Sequence, residues 1–347
     1  MDHRRDSMSE IRQDLTSGRQ VIIAPRRWLR PGSRPFVARS ERPRALPPFD
    51  PDCPFCPGNE SLLPGIIAET RAGAGVGWDV RIVPNKFPAL QPDARAVADL
   101  SDGLPVLGGY GFHEVIVESA RHNADLAAMS DAEIHAVVSA YRSRSEYLLR
   151  QSDIAAVILF RNHGLRSGAS LPHPHAQIIA LPLVPPVLRE LADCGSRYYR
   201  DHGRCATCDA IANERAATLR MIEESSGFLA FVPFAAATPG EIRIVPKRHR
   251  ASFIEADTAE LEDFTRVLRR VLGLVRRAYD DPSFNFVIDS ADRAHIGSAY
   301  VHWRLRITPF LAAPGGFELG SGMAINPSAP EDDAAALRAA GDNEALP

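Results

Sequence analysis

The chain has 347 residues, of which 45% are hydrophobic, enough for one large globular domain or two of ordinary size. Its net charge of −3, with Arg scattered among Asp and Glu, gives no electrostatic reason to expect nucleic acid or a membrane surface as a partner. No apolar stretch approaches the roughly 18 residues of a membrane span, and the first ten residues lack the apolar core of a secretion signal, so we expect a cytoplasmic protein.

The first half of the chain begins with Cys53-Pro-Phe-Cys56 in a turn rich in Pro and Gly. His122 lies between the second predicted strand and a helix, and that helix begins at the capping box Ser130-Asp-Ala-Glu133. The apolar residues of the helix recur at helical spacing. Four strands are predicted in this half, at 80–83, 112–118, 154–160 and 171–181.

The second half repeats these elements in the same order. Cys205-Ala-Thr-Cys208 is followed by His249, by a helix that opens at Asp257, and by His302. Strands are predicted at 227–232, 241–245 and 284–288. We therefore interpret the chain as two copies of one α+β unit. The expected boundaries are 10–195 and 196–330, with loose tails at 1–9 and 331–347.

Each half offers two Cys, one His after a strand and one His at the head of a later strand. A Cys2His2 set satisfies the tetrahedral preference of zinc and leaves no position for water, which is typical of a structural site. We predict two structural zinc ions per chain; the alternatives are a redox pair or small buried cysteines. The predicted ligands are Cys53, Cys56, His122 and His173 in the first half, and Cys205, Cys208, His249 and His302 in the second.

The segment Ser170-Leu-Pro-His173-Pro-His175-Ala-Gln177 carries the candidate chemistry. Side chains alternate along a strand, so His173, His175 and Gln177 share one face. A neutral imidazole is a competent nucleophile near pH 7, and its attack on phosphorus makes a phosphoramidate. Gln177 can hold phosphoryl oxygens but cannot act as a general acid, which favours transfer over hydrolysis. The alternative is that both histidines are metal ligands or core residues.

The remaining histidines and the fifth cysteine lack such a context. We expect His135 and His163 to be ordinary surface or loop residues, and His113 and His295 to be similar although each lies near a motif. Cys194 is expected to be a partly buried thiol without a special role.

Over roughly residues 10–330 the sequence resembles the galactose-1-phosphate uridylyltransferase family, a branch of the histidine-triad superfamily. The motifs that carry the resemblance are Pro25-Arg-Arg27-Trp-Leu-Arg30-Pro31, Cys53-Pro-Phe-Cys56-Pro-Gly-Asn-Glu60, Asn85-Lys-Phe-Pro88 and the run from Asn162 to Gln177. The resemblance implies an α+β fold of two histidine-triad-like halves, each an antiparallel sheet with a packed helix. It also implies a homodimer.

The resemblance assigns roles to individual residues. His175 would be the nucleophile, Ser170 and Gln177 would hold the transferred phosphoryl group, and the His173 carbonyl would orient the His175 ring. Phe317 and Glu318 match a segment that touches the hexose. Residues that match the nucleotide and phosphate pocket are Arg27, Arg30, Asn85, Asn162 and Gly168.

The second half has Arg304 and Arg306 where the first has His175 and Gln177, so the resemblance implies that it has lost its nucleophile and serves as scaffold. It also departs from the best-studied uridylyltransferases. Arg306-Ile-Thr308 replaces a His-x-His, and no Gln follows Phe317-Glu318 closely. Both features, and the second Cys pair, resemble ADP-glucose phosphorylases within the family.

The resulting expectation is a ping-pong uridylyltransferase with a nucleotide sugar and a hexose-1-phosphate as substrates. UDP-glucose would charge His175 with UMP, and galactose-1-phosphate would accept it. The alternative within the family is an ADP-glucose phosphorylase that uses the same histidine. Two further functional classes are a zinc-stabilised binding module, disfavoured for nucleic acid by the acidic charge, and a hydrolase, disfavoured by Gln177 in place of a third His.

Overall fold

A computed structural model describes residues 8–29, 46–71, 77–94 and 97–342. Within these ranges the strands are β1 (Glu10–Gln13), β2 (Gln20–Ile23), β3 (Ala68–Thr70), β4 (Val80–Pro84), β5 (Ala98–Ser101), β6 (Leu104–Leu107), β7 (Phe112–Val117), β8 (Ala156–His163), β9 (His175–Leu181), β10 (Met221–Glu224), β11 (Phe228–Phe231), β12 (Ile242–Pro246), β13 (Phe284–Asp289), β14 (Arg304–Pro309) and β15 (Ala324–Asn326). The helices are α1 (Asp131–Leu149), α2 (Pro186–His202), α3 (Ala206–Ala217), α4 (Thr258–Ala278), α5 (Gly316–Ser321) and α6 (Pro330–Asp342).

Ten of these strands form one sheet in the order β10-β11-β12-β14-β13-β8-β9-β7-β4-β3. Five neighbouring strands come from the second half of the chain and five from the first, and each pairing is antiparallel. The halves meet at β8 and β13, where Asn162 lies opposite Asn285. This arrangement confirms the predicted α+β class and the antiparallel sheet of each half.

The two long helices pack against each other and against one face of the sheet. Both begin at capping boxes: at Ser130 for α1, as the sequence predicts, and at Asp257 for α4, where the sequence predicts the start of a helix. Their apolar stripes join Ala176 and Ile178 of β9 in the main hydrophobic core. Because side chains alternate along β9, His175 and Gln177 face the opposite side of the sheet. None of the helices in the described ranges is long and apolar enough to cross a membrane.

Two predicted boundaries fall within helices. Residue 195 lies inside α2, and the division of the chain near it stays a prediction. The segment from 331 onward is not a loose tail: α6 packs on α4 and buries Ala334 and Leu337 completely. The sequence did not predict this helix because only a few of its residues are buried, so its apolar stripe is narrow among the Ala and Asp residues. Residues 1–7 and 343–347 lie outside the described part.

A second, small sheet joins the two ends of the chain. β1 and β2 form an antiparallel hairpin, and β15 adds to β2 in parallel. The turn of the hairpin, around Asp14 and Ser17, reaches the second half of the large sheet. Cys194 is buried and packs near this turn. A Cβ atom placed on Gly18 would lie 3.6 Å from the Sγ of Cys194.

Candidate active site and metal centres

His175 is the first residue of β9 and is 6% exposed. Its Nδ1–H donates a 2.8 Å hydrogen bond to the backbone carbonyl of His173. This bond fixes the tautomer and makes Nε2 the ring nitrogen that can attack an electrophile. Burial lowers the pKa of His175, so the imidazole is neutral near pH 7. A held, neutral imidazole is the form that a covalent mechanism requires.

The first Cys2His2 set lies directly beside His175. The Sγ of Cys56 is 3.5 Å from Nδ1 of His122, and the Sγ of Cys53 is 3.6 Å from Nδ1 of His173. Such separations match the edges of a tetrahedron with metal–sulfur bonds near 2.3 Å and metal–nitrogen bonds near 2.0 Å. His173 Nε2–H donates to the Ser119 carbonyl at 2.7 Å, which leaves Nδ1 for a metal. The four buried residues can therefore hold a metal ion.

The second set repeats this geometry. The Sγ of Cys208 is 3.5 Å from Nδ1 of His249 and 3.6 Å from Nδ1 of His302. Backbone carbonyls of Ser298 and Pro246 accept hydrogen bonds from the Nε2–H groups of the two histidines, at 2.9 Å each. Cys205 is the N-cap residue of α3, so this pair opens a helix where the first lies in a turn. This set too can hold a metal ion.

Gln177 lies two residues beyond His175 and is oriented by His113. Nδ1 of His113 accepts the backbone N–H of Ala89 at 3.1 Å, so the ring proton is on Nε2. That nitrogen is 2.8 Å from Oε1 of Gln177 and donates to it. The Gln177 amide nitrogen is thus turned outward as a donor for an anionic oxygen. Asn85 lies beside both groups, with its Nδ2 3.4 Å from the same Oε1.

The expectation that His113 is an ordinary residue is therefore wrong. His113 and Gln177 are far apart in sequence, and only the antiparallel pairing of β7 with β9 brings them together. The alternation of β7, which places His113 on the same face as Val115 and Val117, is the one signal that could have identified it.

The loop between β8 and β9 is held from the second half of the chain. Asn285 on β13 donates from Nδ2 to Oδ1 of Asn162 at 2.6 Å and to the Ser167 carbonyl at 3.0 Å. Because its Oδ1 is engaged, Asn162 presents Nδ2 as a donor. At Gly164, whose φ is +80°, a Cβ would lie 2.3 Å from Oγ of Ser283, so the close approach requires glycine. No motif in the sequence indicates the role of Asn285.

His163 also departs from expectation, because it is buried rather than at the surface. Its ring stacks on Phe284 with centroids 4.6 Å apart, and its Nε2 is 3.2 Å from Oδ1 of Asp281. It thus belongs to the seam between the halves.

The other predicted substrate residues lie on the β8–β9 loop and on two further elements. Gly168 adopts φ +89° in the loop, and Ser170 is exposed near its end. Arg27 is in a 3-10 turn (Pro25–Leu29) after β2, and Phe317 and Glu318 are in α5. In the described part of the chain no hydrogen bond or ring contact joins Arg27, Phe317 or Glu318 to His175. Arg30 lies outside the described residues.

In the second half, the position that corresponds to the active site is lined by charged side chains. A cavity of about 200 Å³ is bordered by Arg243, Arg304, Arg306, Asp289 and Asp14. Asp14 comes from the N-terminal hairpin and accepts two hydrogen bonds from Arg243, at 2.7 and 3.2 Å. Arg304 binds Asp289 at 3.1 Å. These internal ion pairs occupy the position that His175 and Gln177 have in the first half.

Asp14 makes the stability of the protein depend on pH. Burial alone would raise the pKa of Asp14, but the charge and hydrogen bonds of Arg243 hold it well below its ordinary value. A depressed pKa contributes stability that is present above the unfolded value of about 3.9 and is lost as pH falls below it. We expect Asp14→Ala to lower the free energy of unfolding at pH 7 by about 3–5 kcal/mol, since it leaves buried Arg243 unpaired.

The measurement is urea unfolding between pH 7 and pH 3. The gap between wild type and Asp14→Ala should narrow as pH falls through 4, whereas a gap that is constant with pH would contradict the assignment. Asp52→Ala, at an exposed residue, is the control.

Comparisons with known proteins agree with this geometry. Residues 2–185 match the family model described as galactose-1-phosphate uridyl transferase, N-terminal domain. An ADP-glucose phosphorylase of Arabidopsis thaliana is 32% identical over 95% of this chain and 92% of its own length. A galactose-1-phosphate uridylyltransferase of Thermotoga maritima is 27% identical over 87% of this chain and 94% of its own.

Solved structures show the same similarity in three dimensions. The crystal structure of the Arabidopsis ADP-glucose phosphorylase with bound ADP-glucose superimposes with a TM-score of 0.81, at 30% identity, and covers 96% of this chain and 98% of that one. A uridylyltransferase structure gives a TM-score of 0.75 at 28% identity over 98% of this chain and all of the other. The chain therefore belongs to the galactose-1-phosphate uridylyltransferase family and is a transferase of that family.

Proposed function

We propose that this enzyme moves a nucleoside monophosphate from a nucleotide sugar to a second phosphate-bearing acceptor through a covalent bond to Nε2 of His175. The observation that carries the proposal is the hydrogen bond from Nδ1–H of this buried ring to the His173 carbonyl. It aims one nitrogen of a neutral imidazole at the face of the sheet where Gln177 and Asn85 present donors.

The transfer takes place in two displacements. In the first, Nε2 forms a bond to the α-phosphorus, the bridging P–O bond breaks, and a hexose-1-phosphate leaves with the bonding electrons. In the second, a phosphate oxygen of the acceptor attacks the same phosphorus and the Nε2–P bond breaks. Charge stabilisation and alignment dominate in such reactions. The Gln177 amide and the backbone of the Gly164–Gly168 loop would bind the non-bridging oxygens, with Ser170 at the loop's end.

The two Cys2His2 sets would hold zinc, whose tetrahedral sulfur and nitrogen preference they match. Bound at the first set, zinc supplies no open coordination position; it would fix His173, whose carbonyl orients the nucleophile. Thiolate ligands need a reducing compartment, which is consistent with the cytoplasm. Since no hydrogen bond or ring contact joins Arg27, Phe317 or Glu318 to His175 within the described part of one chain, the proposal includes a homodimer.

Two nucleotide-sugar donors fit this chemistry. Uridylyl transfer from UDP-glucose to galactose-1-phosphate corresponds to the name of the Thermotoga relative. Adenylyl transfer from ADP-glucose to inorganic phosphate is favoured by one specific observation, the 32% identity to an ADP-glucose phosphorylase along nearly the whole chain. The His175 chemistry is the same in both.

Intact mass measurement after incubation with each donor tests the proposal. We expect an added nucleoside monophosphate with one of the two donors, and its mass identifies the base. The adduct should disappear when galactose-1-phosphate is added to the uridylylated protein or inorganic phosphate to the adenylylated one. Absence of an adduct with both donors, in protein that holds its metal, would contradict a covalent mechanism.

A further inference from the structure

A buried ionic triad lies behind the nucleophile strand. Glu118 follows β7, Arg161 is on β8 and Tyr141 is on α1. The Arg161 Nε donates to both carboxylate oxygens of Glu118, at 2.9 and 3.1 Å, and the Tyr141 hydroxyl donates to one of them. The Glu118 and Arg161 side chains are 0% and 4% exposed. Removing two such charges from water carries a large desolvation penalty, so the pair is weak evidence of a stabilising role.

The second half shows that the fold does not need this triad. Gln177 lies opposite Phe160, and its counterpart Arg306 lies opposite Val287, so Arg161 corresponds to buried Ile288. Tyr141 corresponds to Leu268, at the same distance from the helix N-cap. By the same pairing Val115 corresponds to Arg243, so Glu118 corresponds to buried Pro246, the last residue of β12. The half without a nucleophile has a buried apolar residue at all three places.

The backbone of Glu118 connects the triad to the site. Its N–H donates a 3.0 Å hydrogen bond to the carbonyl of Pro174, the residue between the metal ligand and the nucleophile. The next residue, Ser119, accepts the hydrogen bond from His173. The end of β7 therefore holds the His173-Pro174-His175 bend at two successive residues, and the Glu118 side chain anchors that end to α1 and β8.

We propose that Glu118, held by Arg161 and Tyr141, is a positioning residue for the attack of His175 on phosphorus. The inference rests on the proposed covalent function. Attack requires the His175 ring to stay aligned with phosphorus, and that alignment depends on the His173-Pro174-His175 bend that the end of β7 holds. The triad thus supports the alignment of the nucleophile.

The test replaces the triad with apolar residues: those of the second half at 161 and 141, and valine at 118, where proline would remove the N–H that binds the Pro174 carbonyl. A Glu118→Val, Arg161→Ile, Tyr141→Leu triple variant should fold, keep its metal and melt close to wild type. We expect kcat to fall about 10- to 100-fold, as is usual when supporting hydrogen bonds behind a site are removed. KM for the nucleotide sugar should stay within about threefold, because the donor-binding groups are untouched. Arg161→Lys, which keeps the charge, should retain most of the activity.

A second variant, Tyr141→Phe, removes one hydrogen bond from Glu118 without disturbing the ion pair and should lower kcat about two- to fivefold at unchanged KM. Wild-type kcat in the triple variant, or failure of that variant to fold, would overturn the inference. His175→Ala is measured alongside. If it still forms the adduct, the proposed function fails; if it does not while the triple variant is fully active, only the role of Glu118 fails.

Discussion

His175→Ala is expected to lower the rate of nucleotide transfer by about four orders of magnitude or more, while leaving the fold intact. Removal of a nucleophile from a covalent mechanism leaves only binding and charge stabilisation to act. Substrate binding should survive, because Gln177, Asn85 and the Gly164–Gly168 loop are unchanged. The measurement is steady-state transfer with the donor identified by mass, together with donor affinity by calorimetry.

The neighbouring histidine provides the matched comparison. His173→Ala should also abolish transfer, but through loss of the first metal ion and with a lower melting temperature. His175→Ala should keep its metal content and melting temperature. If His175→Ala retained a tenth of the wild-type rate, or if the two variants lost metal equally, the separate roles given to the two residues would be wrong.

Loss of the first metal ligand set is expected to have the largest effect on stability. Zinc binding contributes about 10–16 kcal/mol in small zinc peptides, as much as the whole stability of a typical domain. Cys56, which is fully buried, ties the 53–56 turn to His122 and His173. We expect Cys56→Ala to lower the melting temperature by at least about 10 °C and to abolish transfer, since the His173 carbonyl loses its support.

Variants at the second metal set and at the lone cysteine distinguish the loss of stability from the loss of transfer. Cys208→Ala should also destabilise the protein, but the fraction that remains folded should keep a transfer rate near wild type, because this set lies in the half without a nucleophile. Cys194→Ala should change neither metal content nor rate. The measurements are metal content and scanning calorimetry of each variant. A stable, fully active Cys56→Ala protein would refute the structural role of the first metal ion.

The repeat was predictable from the sequence because its chemistry is local. Cysteine pairs, capping boxes and β-branched runs each depend on a few neighbouring residues. The seven predicted strands, α1, α4 and both Cys2His2 sets therefore occur at or near the predicted positions. The linker expected near residue 195 was not found, because α2 continues without a break through this segment.

The groups that support the site were not predictable in this way. Strand pairing brings His113 to Gln177 and Asn285 to Asn162. The sequence alone does not give the register between strands that are far apart along the chain. Glu118 and Arg161 are charged residues within or next to strands, a pattern that normally indicates a solvent-exposed face. Only the packing of α1 shows that they are buried together. The roles given to His175 and the substrate residues stay predictions until the variants are measured.

The pairing of β8 with β13 has a consequence for synthesis on the ribosome. The first half emerges first and can complete β3, β4, β7, β9 and β8 by itself, but β13 follows more than a hundred residues after β8. During that interval the nascent chain carries an eight-residue strand edge with unpaired backbone groups. Exposed strand edges favour pairing with other chains. We therefore expect the first half alone to aggregate more readily than the whole chain, in which β13 covers this edge.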